Sequence, residues 1–203
     1  LSWNALKRLN VAVFEAIVWQ DNDPNYRRGF DLNYLNPVLF YRPTEFSLGS
    51  PDNALLGFAV NVRVGRRTLL YSQLMFDEFL LRNVRAGGGW YGNKQGLQLG
   101  VVGHDAFHLP GLTLRTEFNY VRPFMYAHSD TRQNYAHFNQ PLAHPYGSNF
   151  WELLVKGEWR KDRFLLTDVF SFAVLGQDSI MGDHGSYGTN LFLPEIARPI
   201  RDD

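Results

Sequence analysis

Two stretches of strict alternation, separated by a long polar and aromatic segment, constrain the fold of this chain most. The first runs from Leu112 to Tyr120, and the second runs from Trp151 to Trp159. A period of two places successive side chains on opposite sides of a strand, so each stretch predicts a β-strand with one apolar and one charged face. In the second stretch, Leu154 is the one apolar residue that falls on the charged side.

Strands of this kind fit two environments. In a soluble antiparallel sheet the apolar face packs in a core, whereas in an outer-membrane barrel it meets lipid and the charged face lines a polar interior. Trp151 and Trp159 lie at the two ends of one apolar face. A rise of about 3.3 Å per residue and a tilt of about 40° separate their rings by roughly 20 Å along the membrane normal, near the spacing of interfacial aromatic girdles. This spacing favours the barrel.

The alternation recurs along the chain and predicts about eight or nine strands in an antiparallel meander. It is clean over Leu55–Val64, and β-branched residues favour a strand over an amphipathic helix at Leu9–Trp19. Further strands are predicted at the ranges 69–81, 96–102, 164–175 and 187–193. Short turns alternate with long connections, as in a transmembrane β-barrel with short periplasmic turns and long extracellular loops.

Composition excludes several classes of protein. The formal net charge is zero, so no nucleic-acid partner is expected. The sequence has no apolar run of about 18 residues that would predict a transmembrane helix, and it has no cysteine for a disulfide framework or a zinc–thiolate site. Because the chain begins and ends within the strand pattern, we expect residues 1–203 to be a single β-barrel domain that is an internal segment of a larger barrel.

Histidines occur in two places where they could bind a metal. His104 and His108 have suitable spacing, but they lie in a predicted turn without a third ligand nearby. His128, His137 and His144 lie in the long central connection, where they could bind a metal or a sugar. A plug of side chains that hydrogen-bond one another explains them as well. We therefore predict no metal site and no cofactor.

Four carboxylates could supply a pair for glycoside hydrolysis: Asp77, Glu78, Glu117 and Glu152. Charges in a barrel interior must be paired, however, and an ion network with lumen cations explains the same residues. The candidate cations are Arg63, Arg115, Lys156 and Arg160. This explanation is favoured, so we predict that the protein is not an enzyme.

Several motifs between about Gly29 and Glu152 resemble the Wzi-like capsule-assembly and gliding-motility outer-membrane proteins. The shorter ones are Tyr41–Ser47, Ser50–Gly57 and Gly89–Lys94, and the longer ones are Glu117–His128 and Asn134–Glu152. The last motif is the most distinctive. The resemblance implies a barrel of more than about ten strands in the bacterial outer membrane, with a role at the cell surface.

Two functions follow as hypotheses from this resemblance. In the first, a non-enzymatic barrel attaches or assembles capsule polysaccharide at the cell surface. In the second, the barrel is a scaffold or interaction subunit of an outer-membrane machine for secretion, assembly or gliding motility. The expected partners are outer-membrane lipid, surface polysaccharide and other outer-membrane proteins. A soluble carbohydrate-active β-protein remains a third hypothesis. The predicted ligand-binding residues are Arg42, Glu45, Asp52, Asn53, Trp90, Asn93, Arg122, Tyr126, His128, His137 and His144.

Overall fold

The computed structural model describes residues 1–23, 26–27, 29–30, 32–35, 52–77, 93–177 and 187–193. In these residues the fold is all-β, with three short 3-10 turns and no α-helix. No helix in the described part of the chain is long and apolar enough to cross a membrane. The strands are β1 (Ser2–Leu6), β2 (Leu9–Val18), β3 (Asn22–Asp23), β4 (Tyr26–Arg27), β5 (Asn53–Val64), β6 (Thr68–Phe76), β7 (Gln95–His104), β8 (Leu112–Val121), β9 (Ala136–His137), β10 (Gln140–Pro141), β11 (Phe150–Lys161) and β12 (Phe164–Leu175).

Eight of these strands form one antiparallel sheet in the order β1-β2-β5-β6-β7-β8-β11-β12, which confirms the predicted meander. Among the described residues, β1 and β12 each pair with one strand only, so this sheet is open. Two details of the prediction were wrong. The alternation did not indicate β1 as a separate strand, and residues 187–193, predicted as a strand, form turns and coil.

The connections alternate in length, as predicted. Residues 7–8, 65–67, 105–111 and 162–163 make the short turns at one end of the sheet. The long connections, which run between β2 and β5, β6 and β7, and β8 and β11, all leave from the other end. In an antiparallel meander successive connections fall at opposite ends, so the sequence rhythm of short and long connections gives the sheet one compact end and one elaborated end.

The two faces of the sheet differ in chemistry. On the first face, here called the outer face, the cross-strand row Leu99, Phe118, Leu153 and Phe172 is apolar. These four side chains are between 37% and 51% exposed, so no second layer covers them in the described part of the chain. Soluble proteins rarely leave so continuous an apolar surface uncovered. The outer face is therefore the side of the described sheet on which large apolar side chains remain exposed.

The opposite face, here called the inner face, is polar. One cross-strand row contains Gln73, Gln98, Asn119 and Glu152. Leu154 lies on the inner face between Glu117 and Ser171, as the break in alternation predicted.

Two large rings on the inner face, those of Phe14 and Tyr71, occupy the space beside glycines on the neighbouring strand. A Cβ at Gly57 would lie 2.1 Å from the Phe14 ring, and one at Gly100 would lie 2.1 Å from the Tyr71 ring. A side chain at either position would have to displace the ring, so glycine leaves the space that the ring fills.

The connection between β8 and β11, residues 122–149, folds back over the inner face at the elaborated end. It contributes Met125 and Tyr126 to a buried cluster whose other members come from the strands. Those strand residues are Leu55, Met75, Val121 and Phe150. Burial of each such side chain contributes about 1.5–3 kcal/mol, so the connection is packed against the sheet as part of the core.

Candidate functional site

A buried ion pair holds the start of the 122–149 connection. Lys94 and Asp77, which flank β6 and β7, have fully buried side chains, with 3.8 Å between Lys94 Nζ and Asp77 Oδ2. Lys94 Nζ also donates to the carbonyl of Ala127 at 2.8 Å, and Asp77 Oδ2 accepts from the backbone N–H of Tyr126 at 2.9 Å. Buried charges are tolerated when paired and hydrogen-bonded in this way. The pair thus fixes the turn that presents Tyr126.

Backbone geometry agrees with a tightly held turn. Phe124 and Tyr126 have φ values of 63° and 73°, which non-glycine residues rarely adopt. Such conformations persist where surrounding contacts determine them, and here the Lys94–Asp77 pair supplies those contacts.

Polar side chains hold the middle of the connection. Gln133 is 1% exposed, its backbone carbonyl accepts from Asn53 at 3.0 Å, and its amide nitrogen donates to Asp52 at 3.3 Å. Asn134 accepts from the His128 backbone N–H at 2.7 Å. The backbone here is irregular, and amide and carboxylate side chains supply hydrogen bonds that a helix or a strand would otherwise provide.

Glu152 is the polar centre of the elaborated end of the inner face. It is 3% exposed and accepts from Asn119 Nδ2 at 3.0 Å and from Ser171 Oγ at 2.6 Å. His144 Nε2 lies 3.0 Å from the same carboxylate, which ties the end of the connection to β11. The His144 ring also packs on Phe150, with 4.5 Å between the ring centroids. One carboxylate therefore joins three strands and the connection.

A cavity of about 320 Å³ lies between the connection and the inner face. The strands contribute Gln73, Gln98 and Asn119, and the connection contributes Tyr126, Tyr135 and His144. The apolar part of the lining comes from Phe14, Met75, Leu97, Val121, Leu142 and Ala143, with Gly96 between them. The lining mixes apolar side chains with nearly as many polar ones that converge on the same space, and convergent polar groups of this kind orient the ligand in small-molecule sites.

The two tyrosines stay neutral in this environment. Burial, with a further contribution from the Asp77 carboxylate, raises the pKa of Tyr126 well above its ordinary value. Burial likewise raises the pKa of Tyr135. Both phenols therefore remain hydroxyl groups that donate and accept hydrogen bonds throughout the physiological pH range.

Charges on the inner face below the cavity are paired within single strands. Arg115 lies 3.5 Å from Glu117 on β8, and Lys156 lies 2.8 Å from Glu158 on β11. Tyr71 also donates to Glu117. Of the predicted ion network, the pair Arg115–Glu117 is present, whereas Lys156 pairs with Glu158, a carboxylate outside the predicted set. The buried carboxylates Asp77 and Glu152 have Lys94 and His144 as partners.

The histidines of the short turn are engaged locally. His104 Nδ1 lies 3.1 Å from the Thr113 hydroxyl, and Asp105 lies 3.4 Å from Arg67. Asp105 also accepts from the Gly111 backbone N–H at 2.9 Å. Across the described residues, no group of three or more His, Asp or Glu side chains is placed to hold a metal ion.

The structure brings together only part of the predicted binding set. Tyr126 and His144 line the cavity. His137 is exposed and is not part of the lining, and its ring centroid lies 4.2 Å from that of Phe138 with the planes tilted by 55°. Arg122 is half-buried just after β8. Four others are buried at 8% exposure or less: Asp52, Asn53, Asn93 and His128. Arg42, Glu45 and Trp90 lie outside the described residues.

Several residues that were predicted to bind a ligand are buried and hold the protein together instead. Asp52 and Asn53 hydrogen-bond to Gln133, and the Tyr34 hydroxyl donates to Asp52, so both hold protein segments together. The backbone N–H of His128 donates to Asn134, which gives His128 a place in the packing of the connection. Spacing in the sequence does not distinguish polar residues that are buried in this way from polar residues that are accessible to a ligand.

The predicted ligand-binding set did not include Gln98, Asn119 or Tyr135, although all three line the cavity. Alternation placed Asn119 on the polar side of its strand. What the sequence did not reveal is the register that aligns Gln73, Gln98 and Asn119 in a single row across β6, β7 and β8.

Comparisons with known proteins find no family model, no curated protein and no solved structure that matches this chain.

Proposed function

We propose that this chain forms part of the wall of an outer-membrane β-barrel that attaches surface polysaccharide to the bacterial cell. The observation that carries the proposal is the contrast between the two faces of the sheet. The outer face exposes Leu99, Leu153 and Phe172 in one apolar row, while the inner face contains paired charges and a polar cavity. Lipid outside and water inside match this contrast, because barrel strands alternate between the two environments.

The height of the apolar surface supports the same proposal. Trp151 and Trp159 both lie on the outer face of β11, eight residues apart. At about 3.3 Å per residue and a tilt of about 40°, this separation spans roughly 20 Å of the membrane normal, close to the height of a barrel's apolar band.

The elaborated end supports a role in recognition. It presents a connection fixed by the Lys94–Asp77 pair and by Glu152, with a cavity beneath it. Recognition sites are commonly built on connections held by a rigid scaffold. The motifs that resemble capsule-assembly proteins include this connection, which makes polysaccharide the favoured ligand.

The test uses the bacterium that encodes the chain. We expect that deleting the gene shifts surface polysaccharide from the cell-bound fraction to the medium, and that a plasmid copy restores it. The protein is expected in the outer-membrane fraction and to require detergent for extraction. Unchanged polysaccharide retention in the deletion strain would overturn the attachment role, and detergent-free solubility would overturn the membrane assignment.

A second candidate function, that of a scaffold subunit in an outer-membrane machine, is favoured by exposed apolar side chains on the same connection. Phe138, at a tight turn with φ 47°, is 87% exposed, and Leu142 and Tyr146 are 51% and 39% exposed. Large apolar groups at the tip of a connection are common protein contacts. Affinity purification separates the two functions, because stoichiometric protein partners without glycan support the scaffold.

A further inference from the structure

The groups that line the cavity have unused hydrogen-bonding capacity. In the part of the chain that the structure describes, the Gln73 amide makes no side-chain hydrogen bond. Gln98 uses one N–H toward Glu117 at 3.5 Å, and Asn119 uses one N–H toward Glu152 at 3.0 Å. No hydrogen bond of the Tyr126 or Tyr135 hydroxyl is found among the same residues. Five polar side chains therefore surround the cavity, and each has hydrogen-bond donors or acceptors that remain available to a ligand.

We propose that this cavity binds a single uncharged sugar unit, held by the amide row Gln73, Gln98 and Asn119. The inference rests on the proposed polysaccharide role and names both the site and the class of sugar. An amide offers an acceptor oxygen and two donor hydrogens, and a tyrosine hydroxyl offers both functions. Sugar hydroxyls likewise donate and accept, so a ring with several of them satisfies such a set.

The apolar part of the lining fits the other face of a sugar ring. Phe14, Met75 and Leu142 line the cavity together with the amides. The rings of Tyr126 and Tyr135 lie 5.9 Å apart and tilted by 33°, which gives the wall an aromatic surface. Aromatic and apolar groups pack against the C–H groups of a sugar, while polar groups fix its orientation.

Charge favours an uncharged unit over an acidic one. The lining contains no lysine or arginine. Two carboxylates contact the amide row, Glu117 beside Gln98 and Glu152 beside Asn119. Each already has a basic partner, because Arg115 lies 3.5 Å from Glu117 and His144 Nε2 lies 3.0 Å from Glu152. Lys94 is fully buried beside Asp77 and cannot turn toward the cavity. A carboxylate on the ligand would therefore meet two carboxylates and no lysine or arginine in the lining, which disfavours binding.

Size sets the length of the ligand. The volume of about 320 Å³ lies at the low end of the range of small-molecule pockets. It suits one sugar unit of a longer chain, with the rest of the polysaccharide leaving past Ala143 and His144 on the connection.

The test measures binding to the purified protein in an amine-oxide detergent, since glycoside detergents would themselves present sugar. The probes are methyl glycosides of glucose, galactose, mannose and N-acetylglucosamine, with glucuronate and galacturonate as matched acidic probes. Saturation-transfer NMR and competition titration give the affinities. We expect at least one neutral glycoside to bind, and its acidic counterpart to bind at least about ten-fold more weakly.

Matched variants locate the site. Gln73→Leu and Gln98→Leu keep the side-chain volume but remove hydrogen bonds, so each should weaken neutral-sugar binding by about five-fold. Gln140→Leu makes the same change on the exposed β10 and should have no effect. Ala143→Trp, at an exposed position in the cavity lining, should block the entrance without disturbing the core and so serves if the glutamine variants do not fold.

Three results would overturn the inference: no neutral glycoside binds, the acidic probes bind as tightly as the neutral ones, or Gln140→Leu weakens binding as much as Gln73→Leu. A cellular measurement separates this inference from the proposed function. If cells with Gln73→Leu and Ala143→Trp retain polysaccharide normally while the deletion strain does not, the attachment role stands and the cavity is not its site.

Discussion

Replacement of Glu152 provides the sharpest test of how the connection is held over the inner face. The carboxylate is 3% exposed and accepts from Asn119 and Ser171, with His144 at 3.0 Å. Glu152→Leu removes all three partners, and at ~1 kcal/mol for each hydrogen bond the loss is about 3 kcal/mol of unfolding free energy. Leucine cannot replace any of these bonds.

Glu152→Gln separates hydrogen bonding from simple packing. The amide oxygen can still accept from Asn119 and His144, while its nitrogen donates to the Ser171 hydroxyl, which can rotate to accept. Only the charge-assisted part of the interaction is lost, so the expected cost is about 1 kcal/mol. The hydrogen-bonded arrangement therefore predicts a gap of about 2 kcal/mol between the leucine and glutamine variants.

The assay is denaturant unfolding in detergent, followed by tryptophan fluorescence, in which Trp151 neighbours the altered residue. Glu158→Leu serves as a control, because Glu158 pairs with Lys156 through half-exposed side chains and such exposed pairs contribute little to stability. Equal stabilities of Glu152→Leu and Glu152→Gln would refute the reasoning, because packing alone would then explain the burial.

Three further predictions use the same unfolding assay. Lys94→Met removes the ammonium group from the buried pair with Asp77 and should lower the unfolding free energy by about 3–5 kcal/mol. A loss below about 1 kcal/mol would contradict the role of this pair in holding the connection. The ion pair with Arg132 lowers the pKa of Asp130 to about 2, below its ordinary 3.8. The stabilisation from this pair is therefore present above about pH 4 and lost toward pH 2. Asp130→Asn should remove this pH dependence of the unfolding free energy, which amounts to less than about 1 kcal/mol for an exposed pair. Gly100→Leu should displace the Tyr71 ring at a cost of about 1–3 kcal/mol, whereas Gly103→Ala, which meets open space, should be nearly neutral.

The sheet was predictable because its information is local. Alternation from Leu112 to Tyr120 and from Trp151 to Trp159 fixed which side chains share a face, and the structure keeps those faces. The single exception, Leu154, lies on the inner face, as its position in the pattern required. Period-two patterns are reliable wherever the two faces have different surroundings, because a shift by one residue would exchange them.

Two strand predictions failed for physical reasons. β1 has only five residues, and the two-residue turn that joins it to β2, Lys7 and Arg8, contains no glycine, proline, asparagine or aspartate to mark the boundary. Residues 187–193 alternate weakly but are held by the connection: Phe124 N–H donates to the Gly188 carbonyl at 3.0 Å, and Ser148 Oγ donates to the same carbonyl at 2.7 Å. Contacts with residues distant in sequence determine the conformation of such a segment, and its intrinsic strand propensity does not.

The candidate site was harder to predict than the sheet. Asp52 and His128 were predicted to bind a ligand because their side chains can ionise and form hydrogen bonds. Both residues are buried and hydrogen-bonded within the protein. Gln73 and Gln98 are less conspicuous residue types and are separated by 25 positions in the sequence. Only the strand register brings them side by side. Motif spacing reports local neighbours, whereas a site on a sheet is assembled across strands.

The central claim is that lipid surrounds the outer face and water fills the space beside the inner face. The chain has no native cysteine, so single cysteines along β11 can carry a fluorescent label in vesicles. We predict that labels at Leu153→Cys and Val155→Cys are quenched by a nitroxide on the lipid acyl chain and protected from aqueous iodide. Labels at Leu154→Cys and Lys156→Cys should show the opposite pattern. Iodide quenching at all four positions, or protection of the outer positions from both quenchers, would contradict the claim.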